Sequence, residues 1–197
     1  MNKITSNFAG QTIFAGMDIH KSSWNLGIYL NDMFIRNVHQ KPDPHVMVKY
    51  LQQNYPGAKY KAVYEAGKFG FWIQRQLTAL NVECLVVNPA DIPKSQKDSL
   101  QKTDPRDARN LSLRLQTGVL HGIHIPDEQQ EADRIFFRHR KRIWKDLCRC
   151  KNRIKGMLAF SGIDIPEQYD NASWSHNFIN WLKQVDCKQQ SRRTALD

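Results

Sequence analysis

Apolar and polar positions change period several times along the first ninety residues, and each change marks an element. Residues 12–18, TIFAGMD, form a mostly apolar run of the length of a buried strand. From 23 to 30 the chain alternates strictly. Trp24, Leu26, Ile28 and Leu30 share one face, and Ser23, Asn25, Gly27 and Tyr29 the other. Asn31-Asp32 is a turn signal, and 33–39 gives a third strand, so a three-stranded meander is expected. Pro42 and Pro44 punctuate before a helical pattern over 45–54, which Tyr55-Pro56-Gly57 stops. A strand over 60–65, a loop at Gly67 and Gly70, a helix over about 70–80 and a strand over 82–88 ending at Pro89 follow. The order β-β-β-α-β-α-β joins a meander to parallel crossover units and predicts an α/β fold with a mixed sheet flanked by helices.

Beyond Pro93 the stretch KSQKDSLQKT, 94–103, is polar and reads as a loop. A helix is expected from about Pro105 to Gln116, and a short extended stretch over 119–125. From Asp127 to about Phe160 there is no proline, and no glycine until Gly156. Ile143, Leu147, Cys150, Ile154 and Met157 recur there in alternating steps of four and three, the spacing of a coiled-coil seam. Pairing of this helix, with a second copy or as a helical hairpin, is expected. Trp144, Phe136 and Phe137 are expected on its packed side. No internal repeat and no low-complexity segment interrupts the chain.

Charge adds a second feature. The 197 residues carry 29 basic and 19 acidic side chains, a net +10. Between residues 134 and 155, Arg134, Arg138, Arg140, Lys141, Arg142, Lys145, Arg149, Lys151, Arg153 and Lys155 face the single acid Asp146, so nearly all the excess sits on that stretch of the long helix. Such a helix repels itself unless a polyanion lies near, which makes Arg138, Arg142, Lys145, Arg149, Lys151, Arg153 and Lys155 candidates for contact with nucleic-acid phosphates. No apolar run reaches the length of a membrane span and the start lacks a signal-peptide core, so a cytoplasmic protein is expected. Cys84, Cys148, Cys150 and Cys187 form no CxxC pair, which argues against a zinc site and for reduced thiols.

Carboxylates carry the candidate chemistry. Asp18 closes the first strand, Glu65 closes the fourth, and Asp104 and Asp107 open a helix three residues apart, on one face. If strands one and four are adjacent and parallel, all four acids meet at the carboxyl edge of the sheet, where sites of open sheets gather. Acids so crowded need cations between them, and an oxygen-rich set suits Mg²⁺ or Mn²⁺. Two such ions about 3.5–4 Å apart can clamp both oxygens of a phosphodiester displacement. Singly, each acid has a plainer reading. Asp18 and Glu65 can simply end strands, and DPRD is itself a helix start, with Asp104 as N-cap, Pro105 at the first helical position and Asp107 echoing a capping box. His20, Lys21 and Lys68 stand near the site in sequence and carry weaker signals.

GMDIHK at 16–21, YEAG at 64–67 and KTDPRDA at 102–108, with VVNP at 86–89 and a basic helix followed by SGIDIP, resemble the DEDD motif of a transposase family. It is the RuvC-like insertion-sequence family numbered one-ten, with Piv-type DNA invertases, and the resemblance covers roughly residues 12–185. It implies an RNase H-like (RuvC-like) catalytic domain over 10–125, with Asp18, Glu65, Asp104 and Asp107 as catalytic and Mg²⁺- or Mn²⁺-binding residues. A basic coiled-coil region over 126–187 would follow. It also implies strand cleavage and exchange on DNA, guided by a structured bridge RNA. In the family a C-terminal domain supplies a serine nucleophile. Residues 188–197 are expected to be the truncated start of that domain, and no serine here can be assigned its role. The alternative expectation is a catalytically incomplete module that binds nucleic acid and dimerises.

Overall fold

The apolar run near the N-terminus becomes β1 (Thr12–Ile19), the middle strand of a five-stranded sheet. On one side β1 pairs antiparallel with β2 (Trp24–Leu30), which pairs antiparallel with β3 (Met33–Gln40). On the other it pairs parallel with β4 (Lys59–Glu65), which pairs parallel with β5 (Glu83–Val87). The predicted meander is present, and its turn sets Asn31 at φ 50°, a left-handed conformation that asparagine tolerates. The structure, a computed structural model, describes residues 7–92, 104–171 and 173–196. The polar stretch 94–103 lies outside them. The chain divides into two compact units, Met1–Ile125 and Pro126–Asp197.

In the first unit, helices cover both faces of the sheet. Ile13, Ala15 and Met17 of β1, Leu26 and Ile28 of β2, and Ala62 and Tyr64 of β4 are buried in one cluster. Met47 and Leu51 of α1 (Pro44–Asn54) and Ile73 and Leu77 of α2 (Trp72–Ala79) complete it. Asp43 caps α1, its side chain accepting from the His45 amide at 2.7 Å, and Pro44 takes the first turn, where its missing N–H costs nothing. The opposite face is covered by α3 (Asp104–Gln116), whose Leu111 clusters with Val63, Val87 and Ile92.

That second layer explains why β2 is buried on both faces although its sequence alternates. A β-carbon on Gly27 would stand 2.6 Å from Arg109 Cα. One on Gly16 would overlap the Ala108 carbonyl and Ser112 amide, and would reach Leu111 Cβ at 2.8 Å. Two glycines at paired positions, Gly16 and Gly27, therefore form a flat seat on which α3 lies against the sheet. Arg109 stacks over Phe34 at 4.2 Å and Gln116 donates to Asp32 at 2.6 Å, tying the helix to the β2–β3 hairpin.

The layers make the mixed sheet flanked by helices expected from the order of elements, and with it the RNase H-like α/β fold that the resemblance implied. The extended stretch expected over 119–125 touches the sheet by a single bridge, Gly122 to Val87, with the Ile123 amide donating to Val86 O. Lone pairing at that edge fits its short, glycine-interrupted sequence.

The second unit is helical. α4 (Glu128–Phe160) runs 33 residues, capped by Asp127, which accepts from the Gln130 amide at 2.7 Å. It ends at Ser161-Gly162, with Gly162 at φ 66°. The chain then turns back through α5 (His176–Gln184) and α6 (Gln190–Leu196). Leu158, Phe178 and Leu182 form its core, with Ile154, Ile163, Tyr169, Trp174 and Trp181 around them. Phe178 stacks on Trp181 at 5.7 Å. Arg193 of α6 donates to Leu182 O at 2.8 Å and also to Val185 O, which closes the hairpin.

Here the structure narrows two expectations. Phe136, Phe137 and Trp144 are 64, 61 and 61% exposed, so no described residue of the chain packs over them. The expected seam also splits: Ile154 joins the core, whereas Ile143, Leu147 and Cys150 are exposed. The returning segment after Gly162 packs only on the last turns of α4, so the earlier turns receive no cover within the chain's described residues.

Candidate functional site

Strand parity decides where the acids point. On β1, Ile13, Ala15 and Met17 face α1 and α2, so Gly16 and Asp18 face α3. On β4, Ala62 and Tyr64 face α1 and α2, so Val63 and Glu65 face α3. Met17 is paired with Tyr64 in parallel register, and one residue further on each strand are Asp18 and Glu65. On α3, Asp104, Asp107, Ala108, Leu111 and Ser112 fall at spacings 0, 3, 4, 7 and 8, a single stripe. Ala108, Leu111 and Ser112 sit on the glycine seat, so the same stripe carries Asp104 and Asp107 to the end of the sheet. Asp104 is the first helical residue; the residue before it, where a cap would stand, is not described.

All four carboxylates line one open cavity of about 420 Å³, together with His20, Lys68, Asn110 and Arg114. Asp18 is its most enclosed acid of the ion-paired set, with a side chain 23% exposed. Burial pushes its carboxyl above the ordinary range. His20 opposes that shift by charge and hydrogen bonding, while the Asp104 and Asp107 charges reinforce it. His20 Nε2 lies 3.2 Å from Asp18 Oδ2 and 3.4 Å from Asp104 Oδ2. Its amide donates to Ser23 O at 3.1 Å, which fixes the turn after β1.

Ligand atoms of Asp18, His20 and Asp104 all lie within 4.8 Å of one another. Neighbouring ligand atoms of an octahedral ion with bonds near 2.1 Å stand about 3.0 Å apart, close to the two His20 distances. The residues therefore fit a hard divalent cation. Glu65 and Asp107 line the same cavity with further oxygens. Of the two lysines near the motif, Lys68 lines the cavity and Lys21 is exposed outside it.

Sequence reading missed Asn110 and Arg114 and undervalued His20. Helical spacing would have found the first two, since 107, 110 and 114 share a face. His20 is set by a turn whose shape the sequence did not specify.

On α4, Arg138, Arg142, Lys145, Arg149 and Arg153 are exposed and follow one another at helical spacing. Arg138, Lys145 and Arg149 lie two positions beyond Phe136, Ile143 and Leu147, about 200° around the helix, and Arg142 falls beside them. These cations thus lie largely opposite Phe136, Ile143 and Leu147. Arg149 pairs with Asp146 at 2.8 Å. Lys151 and Lys155 are used within their own unit: Lys151 lies 5.5 Å over Trp174, and Lys155 bonds Asp170 Oδ1 and Asn171 O, each at 3.1 Å.

A mixed five-stranded sheet with acids converging from two adjoining strand ends and a crossing helix defines an RNase H-like protein with a DEDD acid set. The family model DEDD_Tnp_IS110, described as a transposase, matches residues 15–162, and the chain belongs to that family. It is 31% identical over 142 residues to the Sinorhizobium fredii protein y4qE, named as a transposase, covering 71% of this chain and 35% of that one. It is 30% identical over 179 residues to the transposase for insertion sequence element IS1533 of Leptospira borgpetersenii, covering 88% of this chain and 50% of that one. The chain thus spans about a third to a half of the length of these relatives. No described helix is long and apolar enough to cross a membrane.

Proposed function

We propose that residues 10–125 form a metal-dependent catalytic domain for cleavage and exchange of DNA strands during transposition of an insertion sequence. What supports this reading is one observation: Asp18, Glu65, Asp104 and Asp107 line a single cavity at the end of the sheet. In it these four residues hold Mg²⁺ or Mn²⁺. When bound, the ion supplies Lewis-acid stabilisation to a phosphodiester. The chain's own residues hold the acids in place through the glycine seat, and Lys68 and Arg114 offer positive charge to the phosphate from the cavity wall.

Residues 126–187 form the nucleic-acid-binding and pairing region. Arg138, Arg142, Lys145, Arg149 and Arg153, with smaller parts for Lys151 and Lys155, contact phosphates of DNA and of a structured guide RNA. The exposed apolar face of α4 joins copies into a homo-oligomer. The protein works in the cytoplasm. Isothermal titration with Mn²⁺ tests the site: the chain should bind, and Asp18→Asn and Asp107→Asn should abolish binding.

A second reading, favoured by the exposure of Phe136, Phe137 and Trp144, is a module that binds nucleic acid and dimerises without catalysis. It requires nucleic-acid binding that persists in EDTA, Asp18→Ala included, and no ion uptake in the titration.

A further inference from the structure

His20 is two residues beyond Asp18 and shares its side of the chain as β1 ends. Its ring nitrogen stands between the carboxylates of the strand and of the helix, 3.2 Å from Asp18 Oδ2 and 3.4 Å from Asp104 Oδ2. We infer that His20 is a direct ligand, through Nε2, of the divalent cation that Asp18 and Asp104 hold. The inference rests on reading the carboxylates as a metal site and adds a nitrogen to it.

Three observations carry it. Nε2 stands 3.2 and 3.4 Å from the two oxygens, near the spacing of adjacent ligands on one octahedral ion, and all three atoms lie within 4.8 Å of one another. The ring's reach is fixed by the backbone, because the His20 amide is bonded to Ser23 O and closes the turn. A cation placed among the three would replace the hydrogen bond between Nε2 and Asp18 Oδ2, so the hydrogen bond and the metal bonds would use the same atoms. A histidine serving only as a counter-charge to the acids would need none of this: a lysine or arginine reaching the cavity would do as well.

The donor set has a consequence for ion choice. Mg²⁺ prefers oxygen and water ligands, whereas imidazole suits first-row transition metals. A carboxylate–imidazole–carboxylate set therefore favours Mn²⁺ over Mg²⁺ more than carboxylates alone would.

Pulsed electron paramagnetic resonance on the Mn²⁺-loaded full chain, with Mn²⁺ and Mg²⁺ affinities by calorimetry, tests this. The expected result is ¹⁴N coupling from a coordinated imidazole in the wild type, absent in His20→Gln. The ratio of Mn²⁺ to Mg²⁺ affinity should fall about tenfold or more in the variant. His20 has a side chain 45% exposed, so His20→Gln should fold, which its thermal unfolding would verify. If Mn²⁺ binds in a manner that Asp18→Asn abolishes, yet shows no ¹⁴N coupling and an unchanged ion ratio in His20→Gln, His20 is no ligand and the carboxylate site stands. If no Mn²⁺ binding depends on Asp18, both the inference and the metal reading fall.

Discussion

Gly16 of the central strand lies directly under Ala108 of α3, with no room between them for a β-carbon. This contact sets the height of α3 above the sheet, and the same helix carries Asp104 and Asp107 toward Asp18 and Glu65. A methyl group at Gly16 would meet backbone atoms of Ala108 and Ser112, which cannot swing aside as a side chain can. Gly16→Ala should therefore lower stability by about 1–3 kcal/mol, as overpacking does, and weaken divalent-cation binding by displacing the two aspartates. Denaturant unfolding and calorimetry check the two effects. Gly27→Ala, which meets Arg109 on the same seat, should act in the same direction.

Asp18 is held against its charge preference. Its carboxyl is raised above the ordinary value of 3.8 by burial, with Asp104 and Asp107 adding to the shift and His20 opposing it. A carboxyl with a raised folded value stabilises the fold most at low pH and loses that contribution as pH rises through the folded value. In EDTA, Asp18→Asn should then be more stable than wild type near neutral pH, by about 0.5–2 kcal/mol, the usual gain from relaxing a strained site. The advantage should shrink as pH falls toward 3.8. Adding Mn²⁺ should stabilise the wild type and leave Asp18→Asn unmoved. Thermal unfolding across pH, with and without metal, reads all of this.

Much of this site was legible because two periods suffice to place it. Parity puts Asp18 and Glu65 on one side of adjacent strands, and spacing of three puts Asp104 and Asp107 on one side of a helix. The parallel pairing of β1 with β4 was a condition of that reading, and the structure supplies it. His20 was not legible in the same way, because its position depends on a turn closed by its own amide and Ser23. On α4 the apolar spacing was visible, but spacing says nothing of what covers a face. The chain supplies a partner for Ile154 and none among the described residues for Ile143 or Leu147. For that reason spacing alone does not say what covers Phe136, Phe137 and Trp144.

Phosphate neutralisation by α4 predicts a salt dependence that distinguishes its cations. Replacing Arg138, Arg142 and Arg153 by glutamine should flatten the plot of log affinity for duplex DNA against log salt by about 0.9 for each phosphate no longer neutralised. Lys155→Met should flatten it less and lower stability instead, because Lys155 bonds Asp170 and Asn171. Fluorescence anisotropy at several salt concentrations, beside thermal unfolding, separates the two effects.

Burial pushes the Cys84 thiol up to about 12. Its thiolate is scarce at pH 8, so alkylation should begin at exposed Cys150 and leave Cys84 and buried Cys187 intact until unfolding. The linked stability is complete below the unfolded thiol's value of 9.0 and is lost as pH rises to about 12. Mass spectrometry of iodoacetamide-treated protein at pH 8 gives the order of reaction. Cys84→Ala should narrow the loss of stability between pH 9.0 and about 12.

The packed hairpin at the end of α4 and the exposed earlier turns of α4 should respond oppositely to mutation. Phe178 is fully buried and stacked on Trp181, so Phe178→Ala should cost about 3–5 kcal/mol and unfold the helical unit's core. Ile143 and Leu147 are exposed, and replacing both by glutamate removes no packing within the chain. Its thermal unfolding at low concentration should match wild type. If copies pair through this face, however, the replacement puts two acids into an apolar interface and association should vanish. Sedimentation velocity over a concentration series decides the matter: wild type should shift from monomer to oligomer while Ile143→Glu with Leu147→Glu stays monomeric. A wild type that stays monomeric at every concentration would remove the pairing role from α4 and leave its apolar face, with Phe136, Phe137 and Trp144, for contact with nucleic-acid bases.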